Sequence, residues 1–180
     1  SILGSLPYGD IGFTLMDHLP MHTSLVSILN NNDYYTSFFY GQGSWFHKKD
    51  QFFRYNHINK IFDKTNFTDK YEKVIVGDDD YFWGYNDRDL FAQYMEVLDT
   101  LPKNGRMDVF FTGTSHSPFV ISNQTHYDKR FEDIIQGMKE KDRAYFLVYE
   151  KYLKSLIFVD DAIARFIDEY KHLPSYENTL

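Results

Sequence analysis

His116 is the residue best placed to do chemistry. It stands in Thr112-Gly113-Thr114-Ser115-His116-Ser117-Pro118-Phe119, with a hydroxyl on each side and turn-forming residues around it. An imidazole in that setting can donate to an anionic ester oxygen or bind a metal ion. It can also do no more than hydrogen-bond its own loop, and the residues alone leave both readings open. Ser115 could add a hydroxyl to the same anion. A second stretch, Tyr40-Gly41-Gln42-Gly43-Ser44-Trp45-Phe46-His47-Lys48-Lys49-Asp50, mixes rings with cations. Trp45, His47 and Lys49, with Lys48 beside them, could recognise a phosphate or sulfate ester and pack its alcohol portion. The plainer alternative is the start of an amphipathic helix with solvated lysines.

Other patterns carry less. Gly41 and Gly43 do not begin a dinucleotide fingerprint, because Phe46 stands where the third glycine belongs. Asp78-Asp79-Asp80 lacks the spacing of a calcium loop and reads as a solvated turn. Asp160 and Asp161 fall inside an apolar helical pattern, where neighbours point in different directions, so one should face solvent or cap a neighbour. Asn66-Phe67-Thr68 and Asn123-Gln124-Thr125 match glycosylation sequons, a very unspecific signal. His18, His22, His57, His126 and His172 show no ligand spacing. The chain has no cysteine, which excludes disulfides, zinc–thiolate sites and a cysteine nucleophile within these residues. Its net charge of −7 comes with no basic block, which argues against nucleic-acid binding.

These loops need elements to hold them. Residues 34–40 and 107–112 are aromatic and β-branched runs bounded by turn residues, and both are expected to be buried strands. Residues 60–63 could add a short edge strand. A short helix is expected from Thr23, as its cap, to Leu29, and another over residues 48–55. Apolar positions from Asp87 to Leu101 keep one helical face, stopped at Pro102-Lys103-Asn104-Gly105. Residues 64–84 read as polar and turn-rich. A helix near residues 129–139 and one long helix over residues 142–171 complete the chain. Strands alternating with helices point to an α/β fold, layered α/β/α, with a mostly parallel sheet. All 180 residues are expected to belong to one domain. The loops after the two good strands should then open on one sheet edge, as two walls of a cleft.

The string Phe110-Phe111-Thr112-Gly113-Thr114-Ser115-His116-Ser117-Pro118-Phe119 resembles a marker of the sulfatase and alkaline phosphatase superfamily, nearest its lipoteichoic acid synthase-like branch. Further stretches match in order. Ser27-Ile28-Leu29 followed by residues 34–41 resembles the helix and strand leading to the substrate loop. Trp83-Gly84-Tyr85-Asn86-Asp87-Arg88-Asp89-Leu90-Phe91 resembles a helix start of that family. Tyr152-Leu153 and residues 159–166 resemble its final helix, and Gly4-Ser5-Leu6-Pro7 resembles the segment after its nucleophile.

The resemblance implies an enzyme cleaving or transferring sulfate or phosphate esters with a Thr, Ser or formylglycine nucleophile and a divalent metal: manganese, calcium or zinc. It implies that the first strand and nucleophile precede Ser1, and that an Asp-His metal pair follows the lead-in of residues 176–180. These 180 residues are then the central part of a catalytic domain, expected to be inactive and to hold no metal alone. It also implies anchoring by upstream transmembrane helices, at the extracytoplasmic face of a bacterial inner membrane or in the periplasm. His116 carries over as the catalytic residue, with Trp45, His47, Lys49 and Ser115 toward substrate. Where the polyglycerolphosphate synthases carry His, Trp and Arg, this chain has Tyr40, His47 and Lys49, which puts glycerophosphate specificity in question. The rival expectation is a non-catalytic α/β module that kept the ester-binding cleft and lost its metal.

Overall fold

The computed structural model describes residues 3–4, 6, 12, 16–103 and 105–179. Expectations that fall on Ser5, Pro7, Asn104 and Leu180 lie outside them. In chain order the elements are α1 (Leu25–Asn30), β1 (Tyr35–Tyr40), α2 (Lys49–Tyr55), β2 (Lys60–Phe62), β3 (Val74–Val76) and β4 (Tyr81–Gly84). There follow α3 (Asp87–Val97), β5 (Arg106–Phe111), α4 (Gln124–Gln136), α5 (Glu140–Val148) and α6 (Glu150–Tyr170). They divide into two compact units, one of Ser1–Lys70 and Tyr94–Phe111, the other of Tyr71–Gln93 and Thr112–Leu180.

The first unit is built on a parallel sheet of order β2-β1-β5. Because strand side chains alternate between faces, β1 feeds two layers. Phe38 and Tyr40 join Val26 of α1 with Phe52 and Phe53 of α2, and the Phe38 and Phe53 rings stack 4.2 Å apart. On the opposite face Phe39, fully buried, stacks on Phe62 at 4.5 Å and meets the edge of Tyr94 at 5.1 Å. Helices therefore cover both faces, as a parallel sheet requires. The α/β expectation holds.

Several details differ from the sequence reading. Ser24, not Thr23, caps α1, because Ser27 three residues on returns the bond in a capping box. β5 is half-buried rather than buried, since among the described residues it forms one edge of the sheet. Residues 64–84, read as turns, contain the antiparallel ribbon β3–β4, whose strands are too short to show a pattern. The expected long helix breaks at Tyr149, which lets α5 fold back to touch both α4 and α6.

The second unit packs α4 on α6 around Ile121, Tyr127 and Phe158, while Phe91 of α3 stacks on Phe166 at 4.7 Å. α4 starts at Gln124, earlier than expected, with Tyr127, Phe131 and Ile135 as its buried stripe. Asp161 pairs with Arg130 and Asp160 is exposed, as an acidic pair on a helix should be. Lys154, almost fully buried, is neutralised by Asp128 at 2.6 Å and by Glu150. No described helix is long and apolar enough to cross a membrane.

Phe39→Ala should test how far the sheet depends on β1. Removing a fully buried ring with three aromatic neighbours should cost about 3–5 kcal/mol, read as a lower denaturant midpoint in an equilibrium unfolding curve.

Candidate active site

Tyr40 pairs with Phe111 at the ends of parallel β1 and β5, so the chain leaves both strands at the same sheet edge. Ligands of open α/β sheets gather at such carboxyl ends. The stretches that carry the candidate residues begin there.

After β1, residues 41–44 are all buried. Their anchor is Asp63, just past β2. Its Oδ2 accepts from the Ser44 amide at 3.0 Å and the Ser44 hydroxyl at 2.6 Å. Its Oδ1 accepts from the Thr65 amide at 2.9 Å and the Thr65 hydroxyl at 2.7 Å. Burial pushes this carboxyl up, but the four hydrogen bonds favour the ionised form more, and it lies below the ordinary carboxylate value.

Beyond that anchor the side chains turn outward. Trp45 is 56% exposed, and its indole lies across Gly43. A Cβ at Gly43 would come within 2.5 Å of the indole Nε1, so only glycine fits beneath this ring. His47 is exposed and meets the edge of Phe46 at 4.3 Å. Lys49 is half-buried, donating from Nζ to the Phe46 carbonyl at 2.9 Å.

After β5, a second buried carboxylate holds the second stretch. Asp87, the first residue of α3, accepts from the Gly113 amide at 2.8 Å and the Thr114 amide at 3.0 Å. The Thr114 hydroxyl accepts the Asp87 amide in return, at 2.9 Å. Burial pushes the Asp87 carboxyl above its ordinary value, with the loop amides pulling the other way. Two successive turns follow, closed by His116 N to Gly113 O at 3.1 Å and Phe119 N to His116 O at 2.9 Å. Ser115 is half-buried in the first of them, and His116 is exposed at their junction.

The His116 ring is oriented from two sides. It stacks on Trp83 of β4 with centroids 5.9 Å apart, and its Nδ1 lies 2.7 Å from the Ser117 carbonyl. A carbonyl can only accept, so Nδ1 carries a proton and Nε2 remains for an outside partner. The neutral ring offers Nε2 as an acceptor. Only the doubly protonated ring can donate from Nε2 to an anion.

Sequence reasoning passed over Asp63 altogether, and placed Trp83 and Asp87 in a helix-start resemblance without seeing what they hold. Asp63 carries no motif of its own; Asp87 opens a helical pattern and stands in the helix-start stretch, but nothing in that stretch tells that its carboxylate receives loop amides. Trp83 sits in the ribbon that was not foreseen. Among the described residues, no group of three or more His, Asp or Glu is gathered to hold a metal ion. These residues do not by themselves make a metal centre.

The sequence profile of the family described as Sulfatase matches residues 5–180. The chain belongs to the sulfatase family. It is similar to the lipoteichoic acid synthase-like protein YvgJ of Bacillus subtilis (strain 168), with 25% identity over 172 residues, 96% of this chain. The chain spans only 25% of that relative's length. Its fold is similar to the crystal structure of the lipoteichoic acid synthase LtaP from Listeria monocytogenes. There the TM-score is 0.59 at 21% identity, over 83% of this chain and 33% of that one. A protein of the alkaline phosphatase superfamily from Vibrio parahaemolyticus gives a TM-score of 0.58 at 23% identity, over 84% and 32% of the two chains. This sulfatase-family chain therefore has the α/β arrangement of the alkaline phosphatase superfamily.

The two carboxylate anchors make separate predictions. Asp63 has a lowered pKa in the fold, so its folded state binds fewer protons than the unfolded chain near the ordinary carboxylate value. Its contribution is complete above that value and is lost as pH falls through the folded pKa. In the native protein, the protection of the amides of residues 41–44, measured against their intrinsic exchange rate at each pH, should therefore fall on acidification in that range, and Asp63→Asn should remove that step. Asp87→Asn keeps the shape but turns an NH2 group toward one of two loop amides. With one amide unsatisfied, the loss should be about 1–3 kcal/mol, measured by denaturant unfolding.

Proposed function

We propose that this chain is part of an enzyme acting on sulfate or phosphate esters, as a sulfuric ester hydrolase or a phospho-alcohol transferase. The observation that carries the reading is the match of residues 5–180 to the Sulfatase family, with His116 held by its turn and by Trp83 so that Nε2 is left for an outside partner. In this reading His116 donates from Nε2 to the ester anion, with Ser115 beside it. Trp45, His47 and Lys49 lie toward the alcohol portion. Exposed Trp45 offers ring area for a carbon skeleton, and exposed His47 a polar edge. The nucleophile and any divalent metal (manganese, calcium or zinc) are assigned to residues other than those described, so the 180 residues alone should show no turnover. Attachment to a membrane through other segments, and a place at the extracytoplasmic face or in the periplasm, follow from the lipoteichoic acid synthase-like resemblance.

Asp87 and Trp83 act through His116 as positioning residues. The amides that Asp87 holds fix the turn, and the Trp83 ring fixes the plane of the imidazole.

The test is kinetic, on the complete protein with p-nitrophenyl sulfate and p-nitrophenyl phosphate. His116→Ala should lower kcat by about two orders of magnitude, the effect of removing one transition-state donor. His116→Gln, which keeps a neutral donor near the Nε2 position, should lose less. A His116→Ala enzyme with unchanged kcat would remove His116 from the site.

A further inference from the structure

We propose that Lys49 is a positioning residue: its ammonium clamps the segment of residues 45–48 to the sheet edge and so presents Trp45 and His47. The proposal rests on the reading of this segment as a substrate wall, and it changes the part Lys49 plays there. Lys49 acts through its neighbours rather than on the ester.

The segment needs a clamp. His47 and Lys48 are successive residues in the left-handed region, at φ 55° and 53°. Residues other than Gly, Asn and Asp seldom adopt that conformation, and it persists only where the surroundings over-determine it. Chain bonds close the turn, with Lys48 N donating to Trp45 O at 3.0 Å and Asp50 N to Ser44 O at 2.9 Å. Neither bond ties the turn to the sheet.

Lys49 does. Its Nζ donates to the Phe46 carbonyl at 2.9 Å, inside the strained segment. The same nitrogen lies 5.0 Å from the centroids of three rings, Tyr40, Phe46 and Phe111. All three lie within the range of cation–π attraction. Tyr40 and Phe111 are the last residues of two paired strands, and their rings meet edge-on at 5.2 Å. One cation thus joins the loop to the ends of two strands. Burial lowers the pKa of Lys49, as expected for an ammonium drawn out of water and enclosed by rings. With Phe46 held inward, its neighbours Trp45 and His47 are left exposed.

The experiment compares Lys49→Met, which keeps the apolar stem, with Lys49→Arg, which keeps cation and donor. Amide exchange by mass spectrometry on the complete protein reads the loop without any substrate. Lys49→Met should speed exchange at Lys48 and Asp50 at least tenfold and leave Tyr35–Tyr40 unchanged, while Lys49→Arg should restore protection. A Lys49→Met loop within about twofold of the parent would overturn the clamp. So would a Lys49→Arg loop as loose as Lys49→Met, or equal loss of protection throughout β1. A kinetic arm with p-nitrophenyl phosphate and sulfate tests the underlying reading separately. There KM should rise in Lys49→Met with kcat little changed, and return in Lys49→Arg. A loosened loop with unchanged KM would confirm the clamp and remove the segment from the ester site.

Discussion

The first unit depends on the parallel ladder that sets β1 between β2 and β5. Register decides everything downstream of it. With Tyr40 opposite Phe111, two different loops start at one edge, and the rings that end the strands lie side by side. The same ladder sends Phe38 and Phe39 to opposite faces, so one strand supplies both halves of the core. Slipping the register by one residue would exchange those faces. It would also separate the two ring-bearing strand ends that surround the Lys49 ammonium.

A strand that ends inside a protein leaves backbone amides that no ladder partner satisfies. Both units answer this with an aspartate borrowed from another element. Asp63 follows β2 and receives the Ser44 amide; Asp87 opens α3 and receives the Gly113 and Thr114 amides. A carboxylate suits this task because it only accepts and can take several donors at once. The costs differ. Asp63 is ringed by four donors, two of them hydroxyls, and ionisation is favoured. Asp87 is more deeply buried, and desolvation outweighs its partners.

Much of the frame was legible in the sequence. The aromatic runs that became β1 and β5 and the apolar faces of α3 and α6 are properties of single segments, and residue patterns record such properties. The marker around His116 was legible too, and the match to the sulfatase family bears out the family it pointed to. What escaped depends on contacts between segments. Thr23 and Ser24 are equally good caps until Ser27 chooses one. Val74–Val76 and Tyr81–Gly84 are too short to declare themselves as strands, although each completes the other. Tyr149 breaks a continuous helical pattern because α5 finds partners on α4 and α6. Asp63 looks like an ordinary loop acid, and Asp87, although it stands in the helix-start resemblance, gives no sign of its role until the amides they satisfy are known.

Lys49 shows the same limit at a single side chain. In the sequence it is one of two adjacent lysines beside aromatics, and a cation near rings suggests an anion site. The fold gives it a carbonyl and three rings instead. What the place asks for is a cation that can donate to the Phe46 carbonyl and lie over rings at the same time. Enclosing that charge is costly unless hydrogen bonding and ring quadrupoles replace the lost water. Once they do, the charge is held at a fixed point, and the strained turn beside it has something rigid to lean on. The cations that a sequence offers to a substrate therefore divide into those that meet it and those that hold in place the groups that do.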